Sequence, residues 1–384
     1  MLTARAYLPD GRLGAGLARL EAETARILRA FAAAGAEVVE PEALQPADVL
    51  LDLYGEDIRA RAYVTQDPVA GEMMLRPDFT VPVVRLHMAH GAAPARYAYC
   101  GPVWRAQEPG SARPNEYLQA GFELFDAGDP AEADAEVFAL MSALVGETGC
   151  EIATGDMGIL AAVVDGLETA PHRRAALRRH LWRPEAFRRL LRRFGAGHED
   201  ATAARATLLA AAERGAEAVG ELISWAGEPV GLRDAEDITA RALRLAEEAA
   251  TPPLTATQVA ALDEVLSVSG PSQAALARLR GLAPDMPGLT GACDRVEARL
   301  EALSRRGIDA GALPFSTSFG RTTLEYYDGF VFGLSAPGRP DLPPLAQGGR
   351  YDHVTAVLGG GAGIPAVGAI IRPEALIAAQ GGAA

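Results

Sequence analysis

Between Arg96 and Phe125 the sequence commits itself to an antiparallel hairpin: "RYAYCGPVWR" and "NEYLQAGFELF" are strand-like runs joined by the polar loop "AQEPGSARP". Strand side chains alternate, so Tyr117, Gln119, Gly121 and Glu123 share one face while Leu118, Ala120, Phe122 and Leu124 share the other. The second face is core. The first is polar, either a solvated surface or a platform on which Gly121 lets a ligand approach the backbone.

The flanking segments have to complete a sheet around that hairpin. Leu17, Leu20, Ile27, Leu28 and Phe31 recur at helical spacing, Gly35 sits where a left-handed C-terminal cap is wanted, and the strand "AEVVEP" follows. "EMMLR" is a further strand, and "DFTVPVVRLHMAHG" a helix entered through Asp78 or Thr80 as cap, with Pro82 in its first turn. From about residue 132 to 310 Ala, Leu, Glu and Arg dominate in helical periodicity, with breaks at Pro171, Pro184, Gly195 to Gly197, Pro252 to Pro253 and Pro284 to Pro287. Strand character returns only at "TTLEYYDGFVFGL", "PLAQGGRYD" and "IPAVGAII". An antiparallel sheet whose early and late strands are separated by helices predicts an α+β fold. The expected division is a core from residues 1–165 and 311–384, with a mainly helical insertion at 166–310.

Composition removes whole classes of function. With 384 residues, 49% hydrophobic, there is enough chain for two domains, and no uncharged apolar run reaches the roughly 18 residues of a membrane span. The N-terminus lacks a signal-peptide layout, so a cytoplasmic protein is expected. A net charge of -14 opposes binding to nucleic acid. Every basic side chain is Arg: without Lys there is no P-loop lysine, no Schiff base and no lysine general base, and anions must be met by Arg or backbone. Cys100, Cys150 and Cys293 are dispersed and read as buried thiols, while His87, His90 and His353 are not at metal spacing, so neither a metal nor a cofactor is expected. "GGGAG" at 359 to 363 runs into Pro365 and reads as a loop, not a dinucleotide fingerprint. The one basic block, residues 172 to 194, reads as two amphipathic helices broken at Pro184, or else as a surface for nucleic acid or an acidic partner.

Asp78 and Thr80 follow a strand, Arg105 ends the first hairpin strand, and Gln119 and Glu123 lie on the polar face; carboxylates and an amide converging with an Arg suit a zwitterionic amino acid. At this point the order and spacing of "LRPDFTVPVVR", "GPVWRAQEPGSARPNEYLQAGFEL", "LEYYDGFVF", "GGRYD" and "PAVGAII" resemble the class II histidyl-tRNA synthetase catalytic domain. They are most similar to its non-synthetase relative, the regulatory subunit of ATP phosphoribosyltransferase. The resemblance implies a class II synthetase-like antiparallel sheet flanked by helices, a helical insertion, no anticodon-binding domain, and a dimer through a first motif whose Pro is Pro41. It implies a histidine pocket: Asp78, Thr80 and Gln119 around the amino-acid backbone, chiefly its ammonium, with Arg105 nearby, and Glu123, Tyr326 and Tyr327 around the imidazole.

Departures from the synthetase pattern point away from adenylation. Aligned on Gly368 and Glu374, the nucleotide-clamping Arg becomes Ala375, expected with Ile371 to form the back wall of a nucleotide site; Arg372 lies three residues earlier, where it would fill space meant for adenine or ribose or restore the clamp. The second motif reads Trp104, Arg105, Ala106, Gln107 without its Glu, and the catalytic arginine position holds Thr322, with Arg321 one residue off and so on the opposite face of a strand. One lost donor at a developing charge costs about 10²–10³ in rate.

The resemblance therefore implies a non-catalytic regulatory subunit, a homodimer within a hetero-oligomer, required for the activity of a short catalytic ATP phosphoribosyltransferase chain and for feedback inhibition by histidine of the first step of histidine biosynthesis. The alternative is an amino-acid-activating class II ligase, forming a histidine adenylate without an anticodon domain, in which Arg105, Arg113 and Arg350 meet phosphates. A stand-alone histidine sensor is a third reading.

Overall fold

The computed structural model describes residues 12–48, 53, 56–108, 111, 113–146, 149–196, 202–227, 234–321 and 326–381. The chain separates into two compact units, Met1–Val163 with Val265–Ala384, and Val164–Glu264. In chain order the strands are β1 (Glu37–Val38), β2 (Leu44–Pro46), β3 (Val64–Asp67), β4 (Gly71–Leu75), β5 (Ala95–Trp104), β6 (Glu116–Phe125) and β7 (Glu151–Asp156). They continue with β8 (Ser269–Pro271), β9 (Pro314–Ser316), β10 (Phe330–Ser335), β11 (Ala346–Arg350) and β12 (Ala366–Ile371).

The larger unit is built on a nine-stranded sheet of order β1-β5-β6-β12-β11-β10-β7-β9-β8, with β2-β4-β3 forming a small second sheet. The early hairpin and the late strands meet directly: β6 pairs antiparallel with both β5 and β12, so Glu123 stands opposite Tyr97 on one side and Gly368 on the other. The sheet is mixed. Its middle is antiparallel as expected, but β1 runs parallel to β5 and β9 parallel to β7.

One face of the sheet is the main core. Ala120, Phe122, Leu124, Val367, Ala369, Ile371, Phe330, Phe332 and Leu334 pack against Ile27 and Phe31 of helix Gly14–Ala33 and Val137, Phe138 and Met141 of helix Pro130–Val145. The first helix ends as its sequence dictates. Gly35 has φ +84°, its amide bonds the Ala32 carbonyl at 2.9 Å, and the Ala36 amide bonds that of Phe31 at 3.1 Å, the two bonds of a Schellman turn. Ile371 and Ala375 belong to this core, so they line no nucleotide site; strand parity sends Ile371 away from the polar face.

Other expectations shift for identifiable reasons. Helices Ser272–Leu282 and Leu289–Arg305 fall in the same unit as the sheet, with Ala302 and Leu303 in its core, so the separate helical unit is 164–264 and not 166–310. Helical periodicity marks an apolar face without saying what will cover it. Tyr326 and Tyr327 precede their strand, which starts at Phe330, and Thr322 lies outside the described residues. Only Cys293 is buried; Cys100 and Cys150 are half-buried.

Within the smaller unit, the basic block forms helices Pro171–Arg179 and Pro184–Phe194. Leu177, Leu181, Phe187, Leu191 and Phe194 are buried, while Arg188, Arg189, Arg192 and Arg193 are exposed, as an amphipathic reading requires. Arg173 is the exception: buried, it bonds the Glu248 carboxylate at 2.9 Å and the Glu248, Thr251 and Pro252 carbonyls, closing the end of helix Ala235–Ala250.

Candidate functional site

The polar face of β6 lies opposite the core, and helix Thr80–His90 brings its first turn to it. Phe79, not Asp78 or Thr80, occupies the cap position, and no side chain caps the helix. The Thr80 hydroxyl is directed elsewhere: it donates to Glu123 Oε1 at 3.0 Å. Tyr99 donates to the same oxygen at 2.8 Å and Tyr351 to Oε2 at 2.5 Å. Glu123 is fully buried, and burial pushes its carboxyl up to about 7, with the Tyr351, Tyr99 and Thr80 hydroxyls pulling it back and Asp78 adding to the rise. A carboxylate offers about four acceptor positions; three donors leave room for one more.

Two glycines make that geometry possible. A Cβ on Gly368 would come within 1.5 Å of Glu123 Oε2, so the carboxylate lies across the glycine on the neighbouring strand. A Cβ on Gly121 would lie 2.1 Å from the Tyr99 ring. Gly121 therefore makes room for Tyr99, its cross-strand partner, and the space above it is not open for a ligand. Phe79 holds that ring from the other side, stacked at 4.3 Å and 11°.

Asp78, Arg105, Gln119, Tyr326 and Tyr327 are all buried. Arg105 Nε donates to the Pro77 carbonyl at 2.8 Å and its Nη2 lies 3.8 Å from Asp78 Oδ2, tying the end of β5 to the segment before the helix. Gln119 is two residues before Glu123's neighbour Gly121 on the same face, and its Oε1 is buried with no hydrogen-bond partner among the described residues. Tyr326 packs edge-on against Tyr327 at 4.7 Å and against Tyr351 at 6.2 Å, while burial and then the charge of Glu123 raise the Tyr327 phenol. The structure thus gathers Asp78 with Arg105, Thr80 with Glu123, and the tyrosine pair beside Glu123 through Tyr351. Tyr99 and Tyr351 were not anticipated. Strand parity puts Tyr99 opposite Gly121, and a large ring facing a glycine was the available signal.

Arg350 does not belong here. It points to the core face, where its Nε and Nη2 bond Asp134 Oδ1 at 3.0 and 2.8 Å and Nη1 bonds Asp352 at 3.0 Å. Gln107, in place of the second-motif Glu, is held in its own loop by the Arg105 carbonyl at 3.1 Å and Arg61 at 3.2 Å. Among the described residues no group of three His, Cys, Asp or Glu could hold a metal ion, and no helix is long and apolar enough to cross a membrane.

Comparison with known proteins places this arrangement. A profile of the family described as histidyl-tRNA synthetase matches residues 12–255 and 232–376. An ATP phosphoribosyltransferase regulatory subunit of Brucella anthropi is 34% identical over 346 residues, spanning 87% of this chain and 90% of the relative. The protein of the same name from Brucella canis is 33% identical over 371 residues, spanning 90% and 94%. The chain belongs to the family of ATP phosphoribosyltransferase regulatory subunits. The regulatory-subunit family shares its fold with the synthetases. A solved ATP phosphoribosyltransferase regulatory subunit/histidyl-tRNA synthetase from Bacillus halodurans superposes with a TM-score of 0.69 at 21% identity, over 99% of this chain and 83% of that one. A histidyl-tRNA synthetase from Nostoc gives 0.60 at 15% identity, over 96% and 74%.

Proposed function

We propose that this regulatory subunit performs no catalysis itself, binds histidine on the polar face of β5, β6 and β12, and passes that occupancy to a short catalytic ATP phosphoribosyltransferase chain as activation and feedback inhibition. The observation that carries the reading is the buried Gln119 Oε1, without a donor among the described residues, on the same strand face as the buried carboxylate Glu123, with buried Asp78 in the segment that leads into helix Thr80–His90. A buried acceptor without a partner is costly, and a ligand bringing N–H donors relieves that cost. An ammonium fits Gln119 and Asp78, an imidazole N–H fits the remaining acceptor position of Glu123, and Tyr326 and Tyr327 wall the ring. A site built to bond a ligand N–H rejects analogues lacking it by about 10⁴–10⁵.

Regulation requires histidine to bind two quaternary states of the hetero-oligomer with different affinity, since a ligand with equal affinity for both shifts nothing. A homodimer through the segment around Pro41 is the arrangement the family resemblance favours. That segment is fixed from within, the Pro41 carbonyl accepting a bond from the buried Arg76 guanidinium. Adenylation is the weaker reading because Ala375 is packed in the core and Gln107 is engaged in its loop.

The test is calorimetric titration with histidine and with ATP, followed by histidine-dependent ATP/pyrophosphate exchange on the same sample and reconstitution with a short catalytic chain. Histidine binding without exchange, and histidine-sensitive activity on reconstitution, is the expected result. Exchange at a synthetase-like rate overturns the proposal in favour of a ligase.

A further inference from the structure

β12 ends at Ile371, yet the chain keeps its strand geometry for one more residue: Arg372 has φ −104° and ψ 99°, and its amide bonds the Leu345 carbonyl at 2.9 Å. The register then fixes where its side chain goes. Gly368 faces Glu123 and Ile370 faces Gly121, so the next residue on the polar face is Arg372, abreast of Gln119. On the other side of β6, the Arg105 amide continues the pairing of β5 by bonding the Asn115 carbonyl at 2.8 Å. Two arginines therefore enter one face from opposite strands, with Gln119 and Tyr117 between them.

Arg372 is only 7% exposed. Its Nη1 donates to the Pro344 carbonyl at 2.6 Å, and among the described residues no carboxylate pairs with it. Burial lowers its guanidinium to about 10; Tyr117 and Tyr327 act against that shift, while Arg105 and Arg113 add to it. A buried cation among other cations, with no anion against it among the described residues, is costly until one reaches it. Beside it, the Gln119 oxygen lacks a donor among the described residues. Directly opposed residues on paired strands have Cβ atoms about 4.5–5.5 Å apart, which suits two charged groups carried on one carbon.

We propose that Arg372 is the carboxylate-recognising residue of the amino-acid site, holding the ligand's carboxylate while Gln119 accepts from its ammonium. This rests on the histidine reading above and extends it: the family's catalytic arginine position holds Thr322, and the charge is supplied from the end of β12 instead. Arg105, engaged with the Pro77–Asp78 segment, closes the opposite side. The planar guanidinium, anchored by one nitrogen on Pro344, presents its remaining N–H groups in a fixed fork, which an ammonium could not do.

The test compares histidine with histamine, which keeps the imidazole and ammonium but has no carboxylate, on wild type, Arg372→Gln and Arg372→Lys. Calorimetry on wild type is expected to show histamine binding at least about 30-fold more weakly than histidine, the loss typical of truncating one partner of a buried charged pair. Arg372→Gln should lose that same factor for histidine and leave histamine unchanged, with Arg372→Lys intermediate. Thermal unfolding of each variant checks the fold, and should Arg372→Gln unfold, the lysine variant alone carries the comparison. Unchanged histidine affinity in the variants, or an equal loss for both ligands, overturns the role assigned to Arg372 while the histidine site stands. Loss of ATP binding with histidine unaffected would assign the guanidinium to a phosphate instead. A wild-type protein that binds neither histidine nor histamine overturns the histidine reading itself.

Discussion

The Thr80 hydroxyl donates to Glu123 Oε1 across 3.0 Å and not to its own helix, whose cap position, Phe79, makes no side-chain bond. A threonine at a helix entrance ordinarily satisfies an orphan amide. Here the hydroxyl is assigned to a carboxylate 43 residues away, together with Tyr99 and Tyr351. Thr80→Val should therefore lower unfolding stability by about 1.5–3 kcal/mol at pH about 8, where Glu123 carries its charge, and by less at pH about 5.5, where it does not. Thr80→Ser keeps the hydroxyl and should stay close to wild type. Urea unfolding at both pH values checks this; equal losses at the two would mean the methyl packing matters and the hydrogen bond does not.

The Glu123 carboxyl itself sets a pH dependence whose sign follows from burial. Its ordinary value of 4.5 is raised to about 7 in the folded protein. The folded state thus binds more protons than the unfolded chain between those values. Stability from Glu123 is fully present below about pH 4.5 and is lost as pH rises through about 7, by at most about 1.4 kcal/mol per pH unit. Glu123→Gln exchanges no proton, so wild-type stability minus that of the variant should fall from pH about 5 to about 7.5 and then level off. A difference that rises with pH would show the three hydroxyls stabilising the anion more than burial destabilises it. Asp328, also raised by burial, to about 6, is common to both proteins and cancels.

Two glycines on opposite faces of the same strand pair should behave differently. A Cβ on Gly368 meets the end of the Glu123 side chain, which can swing aside only by giving up its bonds to the Thr80, Tyr99 and Tyr351 hydroxyls. One on Gly348 meets the Ala369 Cβ at 2.4 Å and the Gly368 carbonyl at 2.5 Å, which cannot. Gly368→Ala is expected to fold and to lose histidine binding, because Glu123 is displaced. Gly348→Ala should cost about 1–3 kcal/mol through backbone shifts. Calorimetry and denaturant unfolding on both variants separate the two; tight histidine binding by Gly368→Ala would remove Glu123 from the imidazole contact.

What the sequence made legible was parity. Tyr117, Gln119 and Glu123 alternate with Leu118, Ala120 and Phe122, and that pattern needs only one strand to be read. What it did not show was register. Arg350 looks like an anion ligand until β11 is set against β12, when it pairs with Val367 and turns to the core. Gly121 looks like room for a ligand until β5 delivers Tyr99 over it. The end of the helical unit was misplaced for a related reason: the apolar face of helix Leu289–Arg305 is equally suited to other helices or to a sheet. Tyr326 and Tyr327 were drawn into a strand by aromatic β-propensity that the turn at Tyr326 and the bend at Gly329 override.

On the core face, Asp134 is held by two arginines. Its Oδ1 accepts from Arg350 at 3.0 and 2.8 Å and its Oδ2 from Arg299 at 3.4 Å, while Arg299 also bonds Asp156 at 2.8 Å. The four side chains join helix Pro130–Val145, β7, helix Leu289–Arg305 and β11, with charges in balance. Removing one partner of a buried pair typically costs about 3–5 kcal/mol, because a charge is left uncompensated. Asp134→Ala should fall near the lower end, since Arg350 keeps Asp352 and Arg299 keeps Asp156. The double variant Asp134→Ala/Arg350→Met restores the balance and should recover part of the loss, which denaturant unfolding of both variants measures. Histidine affinity of the folded fraction should be unchanged, because the sheet separates this network from Glu123. A loss of affinity larger than the loss of stability explains would mean that the two faces are coupled through β11 and β12.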